Sequence, residues 1–307
     1  MFTEAQNLAI TRTELDTVFA QNFAYDATDP GIATANSGEI FKQQSITGSA
    51  WIGEVTDDTG LWPATGEVQV VPTATPKVTN KYTISTIDYA NSIEISKDLF
   101  DDNRHGVWSN QVAKFARKAR LTQDNTAFGL FRNAFTTQLT PDGVAAISAS
   151  HVLIGGGTTS NLVTGALSNT TIYNAIVALR EQVDQNNVIQ GGVPKILLVP
   201  QKLWKSATEQ TDSALIADSA NNALNVYRSA YGFTVWSSPY LGAAAGGSDT
   251  AWFMLTSDHS TRRYVRQGIE TALRNWQMSN NRTYLYQGNY RESYFIEDYS
   301  GLVGSTG

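Results

Sequence analysis

The stretch from Asp101 to Phe135 limits the folds open to this chain more than any other. Apolar residues recur there at Trp108, Val112, Phe115 and Ala119, and again at Phe128, Phe131 and Phe135. Steps of three and four mark one buried face of a helix. Lys114, Arg117, Lys118 and Arg120 lie off that face, and the acidic run "LFDDN" precedes it, where negative charge complements a helix dipole. Pro141 sets the limit at the other end. About 28 residues at roughly 1.5 Å each make a rod about 40 Å long. That is far longer than the usual globular helix, so other elements must pack along it.

Before the rod, residues 4 to 22 read as a helix with Leu8, Leu15, Val18 and Phe19 on one side, ended by "YDATDPGIATANSG". It is an arm, too short to fold alone. From Ser45 to Thr75 short strand-like pieces alternate with Gly- and Asp-rich turns, which predicts a long two-stranded excursion. Trp51, Ile52, Leu61 and Trp62 sit on it with too little around them to form a core, and need something to cover them.

Val78, Tyr82 and Ile84 then alternate on one face, and Ile87, Tyr89, Ile93 and Ile95 continue on the opposite parity, which predicts a bulge or bend near Thr86. At the far end Tyr284, Tyr286, Tyr290, Tyr294 and Ile296 share one parity, so the two long strands are candidates to pair. Between them lies a different texture. Ile172, Ile176, Leu179 and Val183 fall at helical spacing behind a cap at Ser168 or Asn169, and "KILLVP" is a buried strand between Pro194 and Pro200. "QKLWKSATEQ" is a short helix, "SANNALNVYRSA" a loop, and "FTVWSS" and "AWFML" further strands. The fold class is α+β: a discontinuous domain built on the long helix, and a mixed α/β domain inserted near residues 138 to 270. A chain of 307 residues is long enough for two such cores.

Composition removes several functions. A net charge of -6 and a pI near 5.1 oppose gripping nucleic acid through its phosphates. Charged residues are only 16% of the chain, which leaves a neutral polar surface suited to packing against neighbours. With no cysteine there is neither a disulfide nor a thiolate metal site. The opening residues show neither a basic start nor an apolar run, so no secretory signal is expected, no stretch has the apolar length of a membrane span, and the sequons at Asn169 and Asn281 have no expected glycosylation context. His105, His151 and His259 are scattered without metal spacing and read as structural, with no metal and no cofactor expected. "HVLIGGG" resembles the oxyanion loop of some esterases, but no Gly-x-Ser-x-Gly elbow accompanies it. Asp57–Asp58 and Asp101–Asp102 read as a solvated turn and a helix start. No catalytic residues are expected, and Arg117, Lys118 and Arg120 form a solvated or inter-subunit face.

Over nearly its whole length the chain resembles the major capsid proteins of tailed phages with the Hong Kong 97-type fold, and within them the Mu-type major head subunit group. The resemblance rests on an ordered series: "DLFDDN" and the long helix, "FTTQLTPDGVAAISASHVLIGGGTTSNL", "NTTIYNAIVALREQ", "GGVPKILLVPQKLWKSATE", "ALNVYRSAYGFTVWSSPYL" with "AWFMLTSD", and the terminal "EDYSGLVGSTG". It implies an N-terminal arm at 1–40, an extended loop at 41–80, a peripheral domain at 81–137 and 271–307, and an axial domain at 138–270. The implied role is non-enzymatic, as the subunit of an icosahedral shell around double-stranded DNA. Its partners would be further copies of itself in hexamers and pentamers, a separate scaffolding protein, a portal and decoration proteins, without sequence-specific DNA binding and without a membrane. Trp51, Ile52, Leu61 and Trp62 would then lie across the neighbouring subunit, in a capsid assembled in the host cytoplasm.

One departure matters. Some members join subunits covalently through a lysine on the extended loop, and from Gln43 to Pro76 this chain has none, Lys42 and Lys77 standing outside. No such crosslink is expected. The rivals are an encapsulin-like compartment of the same fold, holding a protein instead of a genome, and an α/β hydrolase-like enzyme, which the missing elbow disfavours.

Overall fold

The structure is a computed structural model. It describes residues 4–24, 31–56, 60–67, 69–73, 75, 78–98, 105–215, 224–275 and 282–307. The side chains of residues 4–10, 79, 105 and 106 also lie outside the description, as do the acidic pairs Asp57–Asp58 and Asp101–Asp102 and the sequon at Asn281.

The described helices before residue 133 include α1 (Glu4–Phe23) and the long α2 (His105–Arg132, 28 residues). Trp108, Val112, Phe115 and Ala116 of α2 pack with Leu15 and Phe19 of α1 and with Ile95, Tyr284 and Tyr286. About three turns further on, Ala127, Phe128, Leu130 and Phe131 enter a second core with Phe41, Ile196, Leu198 and Phe253. A single apolar stripe therefore forms a wall of two cores. After Arg132 the amide of Ala134 turns back to Phe131 O at 3.2 Å, a tighter three-residue closure that ends the rod before Pro141.

The strands of the described residues arrange into two main sheets and two hairpins. In the first sheet the order is β1 (Lys42–Ser45), β11 (Thr261–Arg274), β12 (Thr283–Ile296), β4 (Ile87–Ser96), with β1 parallel to β11 and the rest antiparallel. The two long strands pair as their parity predicts, Tyr290 opposite Tyr89. Even positions of β12 are buried toward α2, and odd positions face the other way. On that other face stands a hairpin of β2 (Ala50–Thr56) and β3 (Val78–Ser85). The parity change at Thr86 is where the chain leaves this hairpin and enters the sheet.

In the second sheet the order is β7 (Leu162–Val163), β13 (Leu302–Ser305), β10 (Trp252–Thr256), β8 (Pro194–Pro200), β9 (Thr234–Ser238). β8 reads as an unbroken apolar run because both its faces are covered. Leu197 and Val199 meet α3 (Asn169–Arg180) and α4 (Trp204–Asp212), while Ile196 and Leu198 meet the end of α2. Ser168 caps α3, with Thr171 completing a capping box. β5 (His151–Val152) and β6 (Thr158–Thr159) form a small hairpin, and Val226–Ala230, within the expected loop, is a short helix α5.

Three segments lie elsewhere than the sequence suggests. β13 joins the sheet of the middle segment, not that of the long helix, because its four residues are buried between β7 and β10. β11 begins at Thr261, inside the stretch read as axial, yet pairs along its length with β12. Residues 31–41 pack onto the body through the buried Ala33, Ala35, Ile40 and Phe41 and are not a projecting arm. Phe41 packs against Phe128, Phe131 and Tyr294 at 5.4–5.9 Å, and Asp124 of α2 accepts the Ala35 amide at 2.7 Å.

Candidate inter-subunit surfaces

The hairpin is fixed at its root. Trp51 lies 6.1 Å from Tyr264, and Tyr82 stacks on Phe295 at 5.5 Å, with Ile46 and Ile84 buried beside them. Opposite Tyr82 in the register is Gly53, where a Cβ would fall 2.2 Å from the tyrosine ring. Only glycine lets that ring lie across the strand. Beneath them Arg262 and the Tyr264 hydroxyl both donate to the Glu297 carboxylate. Burial, with Glu297 alongside, pushes the Tyr264 and Tyr82 phenols well above their ordinary range, so both stay neutral donors.

Away from the root the character changes. Ile52 is 67% exposed, Leu61 78% and Trp62 90%, and Val70 and Val71 join them. The sequence reading did not single out those two valines, although "VQVV" carries the signal. Trp51 departs from expectation, since its own chain half-buries it. Neighbours on a strand face opposite ways, so only one of Trp51 and Ile52 can reach Tyr264.

The cations of α2 also divide. Lys114, Arg117 and Lys118 are exposed, whereas Arg120 is half-buried and close enough to Tyr240 to act on its hydroxyl together with Asp124. Arg120 thus belongs to the packing of its own subunit.

Two histidines are built into buried junctions. His151 is hydrogen-bonded through Nδ1 to Asp142 at 2.6 Å and through Nε2 to Asn161 at 3.1 Å, and stacks on Tyr299 at 4.2 Å. Burial favours protonation of Asp142, but hydrogen bonds from His151, Thr140 and the Val144 amide outweigh it and hold the carboxyl below its ordinary value. His259 ties residue 39 to the start of β11. Among the described residues no three His, Cys, Asp or Glu side chains gather as a metal site, and no helix is long and apolar enough to cross a membrane.

The hairpin thus joins a packed root to an apolar end that its own subunit leaves uncovered. A model of the family described as phage capsid protein matches residues 79–304. The chain belongs to the phage capsid protein family. It is a major capsid shell protein, and its fold is of the Hong Kong 97 type. The chain is similar to the structure of Microbacterium phage Oxtober96 (12% identity, TM-score 0.57, covering 92% of this chain and 94% of that one). It is similar to the capsid of cyanophage P-SCSP1u (12%, TM-score 0.58, 92% and 91%). It is also similar to the virus-like particle from Pyrococcus furiosus (8%, TM-score 0.57, 95% and 98%). At such identities the likeness concerns the fold alone. No curated protein matches the chain. The match is to the family as a whole and does not single out the Mu-type group.

Proposed function

We propose that copies of this capsid protein close into an icosahedral shell of hexamers and pentamers around the double-stranded DNA of a tailed phage, assembling in the host cytoplasm. One observation carries the reading: Leu61 and Trp62, 78% and 90% exposed, stand on a hairpin whose root is rigidly packed. Covering such side chains on a neighbour stabilises a contact by about 1.5–3 kcal/mol each. A heterologous contact repeated around a closed ring then gives a capsomer.

The β2–β3 hairpin serves as the extended loop, α2 with the first sheet as the peripheral domain, and the second sheet with α3 and α4 as the axial domain. The role is structural and not enzymatic. The net charge of -6 supports a wall that does not cling to the DNA it holds. A separate scaffolding protein, a portal and decoration proteins would complete the head.

Electron microscopy of the expressed chain tests this, with closed particles or capsomer rings expected. A stable monomer at high concentration sinks it. The same-fold alternative, a compartment enclosing protein, is separated by whether native particles yield nucleic acid or a protein cargo.

A further inference from the structure

His151 is fully buried, and its neighbours dictate how many protons it carries. Asn161 has its amide fixed from both sides: Nδ2 donates to Ala146 O at 2.7 Å, and Oδ1 accepts the Ser148 amide at 2.8 Å. Turned over, the amide would set donor against donor and acceptor against acceptor. Oδ1 is therefore the atom that meets His151 Nε2 at 3.1 Å, so Nε2 carries a proton. On the other side Nδ1 meets Asp142 at 2.6 Å, and that carboxylate also accepts the Thr140 hydroxyl and the Val144 amide. A carboxylate so supplied with donors stays ionised, so Nδ1 carries a proton as well. The ring in place is an imidazolium. Neither neutral tautomer would fit, because a bare nitrogen would face either a carboxylate or a carbonyl oxygen.

This buried charge stands directly behind the hairpin. His151 stacks on Tyr299 at 4.2 Å and pairs with Asp142, and both of those residues line clefts that the hairpin borders. Val55 of β2 and Asn80 of β3, a cross-strand pair and half-buried, border the first cleft with Asp142, Asp298 and Tyr299. Val55 and Thr56 border the second, of about 80 Å³, with Asp184, Gln185 and Tyr299. These contacts lie further along both strands than Trp51 and Tyr82, so they are a second hold on the hairpin, beyond the aromatic root. The titratable groups around the ring and the clefts are acidic: Asp142, Asp184, Glu297, Asp298 and the Tyr299 phenol. Arg262 answers Glu297, backbone amides answer Asp184, and burial pushes the Asp298 carboxyl up from its ordinary range. His151 supplies the positive charge that Asp142 and Asp298 face.

We propose that His151 is a charge-dependent latch on the β2–β3 hairpin: its imidazolium holds Asp142 and Tyr299 where they receive Val55 and Asn80, and its neutral form lets them go. Raising the pH takes a proton from one ring nitrogen, sets a lone pair against an oxygen, and loosens the second hold while the aromatic root stays packed. The His259 junction gains as pH rises, so it cannot produce the same trend. The latch belongs to one subunit and does not require a closed shell.

The full-length protein labelled with 15N-histidine is read by magic-angle-spinning NMR, which serves subunits and particles alike. At pH 7 one histidine should show two protonated ring nitrogens, in a signal missing from His151→Gln. Hydrogen exchange of the dilute chain, corrected for the intrinsic rate, should quicken about three- to tenfold in residues 50–56 and 78–85 between pH 7 and pH 9. Residues 194–200 of β8 should not change over that range. His151→Gln should exchange fast in the hairpin already at pH 7 and lose the pH trend. Asp142→Asn, a milder change, should do the same to a smaller extent and serves if the first variant fails to fold. A neutral His151 ring at pH 7, a wild-type hairpin indifferent to pH, or a trend that persists in either variant overturns the proposal. Microscopy reads shell formation separately, so the two ideas fail independently.

Discussion

His259 donates a hydrogen bond from Nε2 to the carbonyl oxygen of Glu39 at 2.8 Å, while the Thr261 amide donates to its Nδ1 at 3.2 Å. One nitrogen must carry the proton and the other must not, so the ring is neutral in place. Burial is the main reason its pKa falls from 6.5 to about 4. The unfolded chain therefore binds one more proton between those values. Stability from this junction is complete above the unfolded pKa and is lost as pH falls from there through the folded one, by up to about 3 kcal/mol. Chemical denaturation at pH 7 and near pH 4.5 should show the loss, and His259→Gln should reduce the difference.

Trp51 and Trp62 should respond oppositely to truncation. Trp51→Ala removes the ring packed on Tyr264 and is expected to cost about 2–3 kcal/mol of subunit stability, read by thermal or denaturant unfolding. Trp62→Ala removes a ring that is 90% exposed, so subunit stability should stay within about 0.5 kcal/mol while particle yield falls. Normal assembly of the Trp62 variant would remove it from the contact.

Asp16 fastens α1 to the first sheet. Its carboxylate accepts the hydroxyls of Thr271 at 2.7 Å and Tyr286 at 2.8 Å, between the buried Leu15 and Phe19. Asp16→Ala should weaken the docking of α1 by about 1.5–3 kcal/mol. Hydrogen exchange should quicken in residues 11–24 and remain unchanged in the second sheet. Uniform quickening would mean that Asp16 supports the whole fold instead.

Lys42 lies in β1, paired with Arg262 of β11, and no lysine occurs from Gln43 to Pro76. In mature particles boiled in denaturant this subunit should therefore run as one band of uncrosslinked chain, near 33.4 kDa. A ladder of higher bands would reveal covalent joining by some other pair.

The long helix was legible because its stripe repeats over many turns, and β8 because an apolar run between prolines has one good explanation. Residues whose meaning depends on a distant partner were not. Alternation alone left open which of Trp51 and Ile52 faces inward; Tyr264, over 200 positions away, decides it. Lys118 and Arg120 are only two residues apart in sequence but stand about 200° apart around a helix, so one meets solvent and the other its own subunit. "LVGS" has no local mark of a central strand. Val70 and Val71 were legible but overlooked, since attention went to the larger aromatic rings.

The strand order of the second sheet sets a clock on production. β13 lies between β7 and β10, yet it is made about 140 residues after the first and about 50 after the second. Until the ribosome has added Ser305, β7 has no neighbour to pair with and one edge of β10 stands open. Gly304, where a Cβ would press on both Ile147 and Phe253 at 3.0 Å, closes the seam with no room to spare. A nascent chain thus completes its second sheet only when translation has passed that seam.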